Sequence, residues 1–203
     1  MRNTMPMIEL PFSAACERNR GPILAQLQGF FADRRRVLEI GGGTGQHAEY
    51  FAEALGHLIW QSSDRQDYLP GLAARVERSA LPNLPMPMEF DVMDDNWPAP
   101  GYDAVYAANI LHIMAWSEVQ RLFLRLPEIT VPGAKLVIYG PFNIDQQFTS
   151  ASNAAFDAAL RQRAAHMGLR DRAAVDALAS GAGFALQDEV EMPANNRMLC
   201  WQR

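Results

Sequence analysis

Lysine is nearly missing from this 203-residue chain. Lys135 is the only one, and no tyrosine lies four residues before it. Neither a Tyr-x-x-x-Lys dehydrogenase pair nor a phosphate loop ending in Gly-Lys can be built here. Cysteine is scarce too: Cys16 and Cys200 are too few for a disulfide framework or a zinc site, and no metal is expected. Positive charge is not concentrated. The net charge is −5 and the one arginine run is Arg34-Arg35-Arg36, which argues against a nucleic-acid groove. No apolar run approaches the roughly 18 residues of a membrane span. Met1 to Leu10 lacks the charged-then-apolar pattern of a signal peptide. These absences point to a cytoplasmic protein with neither nucleic acid nor membrane as partner. Repeats and low-complexity tracts are missing as well.

What is present suits one core. Apolar residues make up 49% of the chain, enough for a single domain over residues 1–203. Ser13 suits a cap for a short helix ending at Gly21, and Pro22 suits the first turn of the next. Ile23, Leu24, Leu27, Phe30 and Phe31 then share one helical face. Strands are expected at 36–40, 58–63, 88–92, 102–108 and 135–139, alternating with helices to about Ala54, over 68–79, and from a Ser117 cap to about Leu126. Such alternation implies a parallel sheet with helices on both faces. After a loop over 141–150 come helices at 152–165 and 172–180, then two strands at 184–192 and 197–202.

The most informative run is Val37-Leu38-Glu39-Ile40-Gly41-Gly42-Gly43-Thr44-Gly45. It reads as a buried strand, a glycine turn and the start of a helix, which lets a ligand approach the backbone and meet free helical N–H groups. Shifted by two residues, Gly43-x-Gly45-x-x-Ala48 also fits a dinucleotide fingerprint. Asp64 ends the second strand, 19 residues after Gly45, where an acid meets a ribose diol in either case. The missing lysine motif favours the other reading. Glu39-x-Gly41-x-Gly43-x-Gly45 resembles the first motif of class I S-adenosylmethionine (SAM) methyltransferases. The resemblance implies a doubly wound α/β fold of Rossmann-like type, seven-stranded and mostly parallel with the last strand antiparallel, and SAM as cofactor.

Further blocks are similar to one family, catalogued as domain of unknown function 938 and related to methyltransferase-like protein 26. They are Ser13 to Ile23, Ala108 to Trp116, Tyr139-Gly140-Pro141-Phe142, Phe148 to Asn153, and Met192-Pro193-Ala194-Asn195-Asn196. By resemblance, Gly41, Gly43 and Gly45 line the methionine side of the cofactor, with Glu39 orienting the loop. Asp64 takes the ribose hydroxyls, Asp91 the adenine amine with Val92 beside it, and the Asn109 backbone faces the methionine ammonium.

For the methyl acceptor, His112 is the candidate base and Tyr139 a candidate catalytic hydroxyl. Asn19 and Arg20, at the head of a helical lid over residues 1–31, are expected at the substrate, as are Phe142, Asn195 and Asn196. Each has an ordinary alternative: helix end, strand-end packing or turn residue. His47 and His166 read as surface helix residues. The expected activity is methyl transfer to a small, possibly anionic, metabolite. A SAM-binding sensor without chemistry and a protein methyltransferase are the alternatives.

Overall fold

The computed structural model describes residues 10–203. The first nine residues of the expected 1–31 lid lie outside that range. Helix α1 (Ala14–Phe30) starts at Ser13, whose hydroxyl accepts the Cys16 N–H at 3.3 Å. It runs unbroken through Gly21 and Pro22, where the sequence predicts two helices. Pro22 forfeits one backbone bond, but Ile23 and Leu27 are fully buried and hold the second half in place.

The elements that follow are β1 (Arg36–Ile40), α2 (Gln46–Ala54), β2 (Ile59–Asp64), α3 (Leu69–Ser79), β3 (Met88–Glu89) and β4 (Tyr102–Ala108). Then come α4 (Trp116–Ile129), β5 (Thr130–Gly140), β6 (Phe142–Asn143), α5 (Ala151–Arg163), β7 (Arg170–Asp171) and α6 (Arg172–Gly181). The chain ends with β8 (Ala185–Met192), a 3₁₀ turn (Pro193–Asn195) and β9 (Asn196–Gln202).

Seven strands form one sheet in the order β3-β2-β1-β4-β5-β9-β8. All are parallel except β9, which lies antiparallel between β5 and β8. The expected fold class is therefore observed. One face buries Ile23, Leu27, Phe51, Trp60 and Tyr106 beneath α1, α2 and α3. The other buries Leu38, Val105, Phe123, Ile138 and Trp201 beneath α4 and α6. The reversal of strand order between β1 and β4 opens the crevice where ligands of such sheets bind. Among the described residues no helix is long and apolar enough to cross a membrane.

Four boundaries differ from the sequence reading. β3 has only two residues, because Pro87 has no N–H to donate and the Asp91 carboxylate takes the Met93 N–H at 2.9 Å, turning the chain away. α4 starts two residues early, since Glu118 rather than Ser117 closes its N-terminus by accepting the Ala115 N–H. β5 starts at Thr130, with Tyr102 opposite it before a bulge. In the expected 141–150 loop, Phe142–Asn143 pairs with Arg170–Asp171 as a small parallel ribbon, a partner too distant in sequence for local patterns to reveal.

Candidate functional site

The glycine turn leaves β1 with Gly41 and Gly42 both donating to the Ser63 carbonyl at 3.0 Å. Gly41, Gly43 and Gly45 have φ of +76°, +55° and +74°, the left-handed region that glycine enters freely. Their surroundings differ. A Cβ on Gly41 would lie 2.4 Å from Ile110 Cγ2, and one on Gly45 would lie 2.9 Å from Leu72 Cδ1. Over Gly43 no protein atom lies within 4 Å. Two glycines are thus needed by the protein's own packing, and the third faces open space.

Asp64 stands beside that space. Its Oδ2 accepts the Gly43 N–H at 2.7 Å and its Oδ1 the Arg65 N–H at 2.8 Å. Burial raises its pKa, and these two bonds oppose the rise. A carboxylate has about four acceptor sites, so Asp64 can hold the loop and still meet a diol. Glu39 is 2% exposed and accepts the Trp60 indole N–H at 3.1 Å. Burial pushes its pKa up to about 7. It sits beneath the loop and braces β1 against β2. α2 then starts at Gln46 with no side chain capping it, which leaves its first N–H groups to a ligand.

The head of α1 is tied to this loop. Gln46 Oε1 accepts from the Ser13 N–H (2.6 Å) and Thr44 Oγ1 (3.0 Å), while its Nε2 donates to Glu17 (2.9 Å). Arg75, 7% exposed, donates to Thr44 O, Glu49 and Pro11 O at 2.6, 2.9 and 2.8 Å. One arginine thus joins α3, α2, the glycine turn and the segment before α1. Arg20 is engaged at the surface, paired with Glu17 and lying 4.6 Å over the Tyr50 ring.

His47 corrects the sequence reading: it is buried, at 4% exposure, and not a surface residue. Tyr106 Oη lies 3.2 Å from its Nδ1, and Asn19 Oδ1 lies 2.7 Å from its Nε2. The Asn19 side chain also stands near the Tyr139 hydroxyl and opposes the rise of its pKa. Burial, helped by Arg20, holds the His47 pKa down to about 4, so the ring is neutral. A neutral ring donates from one nitrogen only. With Nε2–H given to Asn19 Oδ1, Nδ1 accepts from Tyr106 and the Asn19 amide faces Tyr139. Tyr139 is 2% exposed, and burial raises its pKa, which makes it a donor and not a base at neutral pH. The signal for His47 was in the sequence: residues 47, 48, 51, 52 and 55 form one buried stripe of α2.

The remaining candidates spread along the carboxyl rim. Asn109, at φ +59°, donates its N–H to Tyr139 O at 2.8 Å, joining the ends of β4 and β5. His112 is 7% exposed and packs edge-on to Phe156 of α5 with centroids 5.1 Å apart. Burial, then Arg170 and Arg163, lower its pKa to about 4, so it is a neutral ring. Asp91 lies beyond β3 in its turn, and the Val92 carbonyl accepts from Arg121 at 2.8 Å. Phe142 is 2% exposed and belongs to the core under α6. Asn195 ends the β8–β9 turn and is tied to α5 through Asn153, while Asn196 opens β9.

The structure therefore gathers Glu39, the three glycines and Asp64 into one loop site, and Asn19 with Tyr139 beside it. His112, Asp91 and the asparagine turn stand at separate points of the same rim.

A family model described as a protein of unknown function, DUF938, matches residues 10–203. The chain belongs to that family. Comparison with solved structures finds the DUF938 chain similar to an O-methyltransferase family protein from Burkholderia thailandensis. The two are 21% identical with a TM-score of 0.80, over 93% of this chain and 57% of that one. It is also similar to PigF with SAH, 14% identical with a TM-score of 0.79, over 92% and 56%. At these identities the likeness establishes the fold. Among curated proteins, lovastatin diketide synthase of Aspergillus terreus is 32% identical over 112 residues, 52% of this chain and 4% of that protein. The chain spans only a few per cent of that relative and a little over half of the solved structures.

Proposed function

We propose that this DUF938 protein is a SAM-dependent methyltransferase acting on a small molecule. The observation that carries the reading is the glycine cradle: Gly43, at φ +55°, faces space that a Cβ would fill, with the Asp64 carboxylate bonded to its N–H at 2.7 Å. The residues fit the cofactor that the fold suggests. Gly41 to Gly45 and the uncapped start of α2 suit its amino-acid half, and Asp64 its ribose diol. Asp91 is the nearest acid for the adenine amine, placed in the turn after β3.

When bound, SAM supplies a methyl group on a sulfonium, already a good leaving group. The protein's task is then alignment and exclusion of water, which accounts for most of such a barrier's lowering. Tyr139, its pKa raised by burial, offers a hydroxyl donor near the end of β5. His112, neutral and lacking a side-chain partner for its ring nitrogens among the described residues, can accept a hydrogen bond from an acceptor hydroxyl or amine, and its lowered pKa makes it a weak base.

Isothermal titration with S-adenosylhomocysteine and with NAD tests the reading. Homocysteine-adduct binding that Asp64→Ala weakens by roughly 1–3 kcal/mol, with no NAD binding, supports it. NAD binding without binding of the SAM product overturns it.

A further inference from the structure

A second polar feature stands on the rim. β8 runs in the same sense as β5 and ends at Met192, so the Pro193–Asn195 turn lies at the carboxyl edge, where Arg197 pairs with Gly140. A depression of about 340 Å³ opens there, walled in part by Thr149, Glu191, Asn195, Asn196 and Arg197. Ala194 and Asn195 hold φ of +59° and +58°, a conformation unfavourable for alanine and tolerated by asparagine. α5 clamps the turn in it. Asn153, 5% exposed, donates to Thr149 Oγ1 at 2.8 Å and to Asn195 O at 3.2 Å.

The polarity of the wall follows from these bonds. Asn195 Nδ2 is turned to Ser152 Oγ (3.3 Å) and Asn196 Nδ2 to Pro193 O (2.9 Å). Neither Oδ1 accepts from a described residue. Arg197, the one cation in the wall, is held between Glu189 (2.8 Å) and Glu191 (3.1 Å). The Glu191 side chain is 84% exposed and keeps an oxygen for a ligand. The expectation of an anionic acceptor leaned on Arg20, whose charge is met by Glu17 and Tyr50.

We propose that this depression holds the polar end of the methyl acceptor, and that it takes a hydrogen-bond-donating group, an ammonium or a hydroxyl, in preference to a carboxylate. The proposal rests on the methyltransferase reading and narrows its substrate class. β4 and β9 are two strand spacings apart, roughly 10 Å, so an acceptor of about that length spans the interval.

Three probes on one scaffold test it: tyramine, tyrosol and 4-hydroxyphenylacetate, each titrated into protein saturated with S-adenosylhomocysteine. The side-chain amide resonances of Asn195 and Asn196 are followed by NMR. Tyramine and tyrosol should shift them. Tyramine should bind about tenfold more tightly, the effect of one charged hydrogen bond, and Glu191→Gln should remove that difference. Tighter binding of 4-hydroxyphenylacetate, or no shift with any probe, overturns the proposal. Shifts with tyramine in a protein that binds no S-adenosylhomocysteine would instead refute the methyltransferase reading and leave the amine site standing.

Discussion

Replacing Glu39 with glutamine should make the protein more stable above neutral pH and change little below pH about 5. The carboxyl is 2% exposed with one indole donor, and its pKa rises from 4.5 to about 7 through burial. Because the folded value lies above the unfolded one, the native state keeps a proton between about pH 4.5 and 7 that the unfolded chain has released. Stability is therefore lost as pH rises through that window and stays lost above it. At 1.36 kcal/mol per unit the loss is about 3 kcal/mol, or about 6–12 °C of melting temperature for a domain of this size.

The wild-type curve alone would hide this. His47 and His112, each held down to about 4, gain stability over nearly the same interval, because the unfolded chain takes up protons that the folded one refuses. The difference between Glu39→Gln and wild type isolates the glutamate. Urea titrations at about pH 4.5 and about pH 8 should show that difference growing by about 3 kcal/mol in favour of the glutamine. A difference independent of pH would mean that Glu39 is ionised in the fold at neutral pH, and that the β1–β2 brace differs from the one described.

Gly41 and Gly43 should separate stability from binding. Gly41→Ala meets Ile110 Cγ2 at 2.4 Å and should destabilise by roughly 1–3 kcal/mol. Gly43→Ala meets no protein atom within 4 Å and should cost only the left-handed backbone penalty, about 1–2 kcal/mol, while S-adenosylhomocysteine binding disappears in calorimetry. His47→Phe leaves the Tyr106 hydroxyl and the Asn19 carbonyl without a partner. It should cost about 1–3 kcal/mol in urea and shrink the acid-side loss of stability below about pH 6. An unchanged acid slope would mean that His47 is protonated in the fold.

The loop site was legible in the sequence because it rests on backbone constraints: three positive φ values demanded glycine, and Asp64 had to end a strand. The parallel sheet followed from alternation, and its seven strands with the last antiparallel from the family resemblance; the strand order came with the fold. What escaped was long-range. Pro22 reads locally as a helix start, yet Ile23 and Leu27 bury only once the sheet is beneath them. His47 carries a polar label on an otherwise apolar stripe, and its partners, Asn19 and Tyr106, are 28 and 59 residues away. The β6–β7 ribbon and the Arg75 staple join segments with no mutual signature. His112 is a candidate the sequence offers, and its neighbour Phe156 comes only with the fold.

A crystal structure of the protein with S-adenosylhomocysteine tests the central claim most directly. The ligand's ribose hydroxyls should lie on the Asp64 carboxylate and its amino-acid half over Gly43, with the Gly43–Asp64 bond of 2.7 Å retained. A ligand seated elsewhere on the rim, or Asp64 turned away from the ribose, would contradict it.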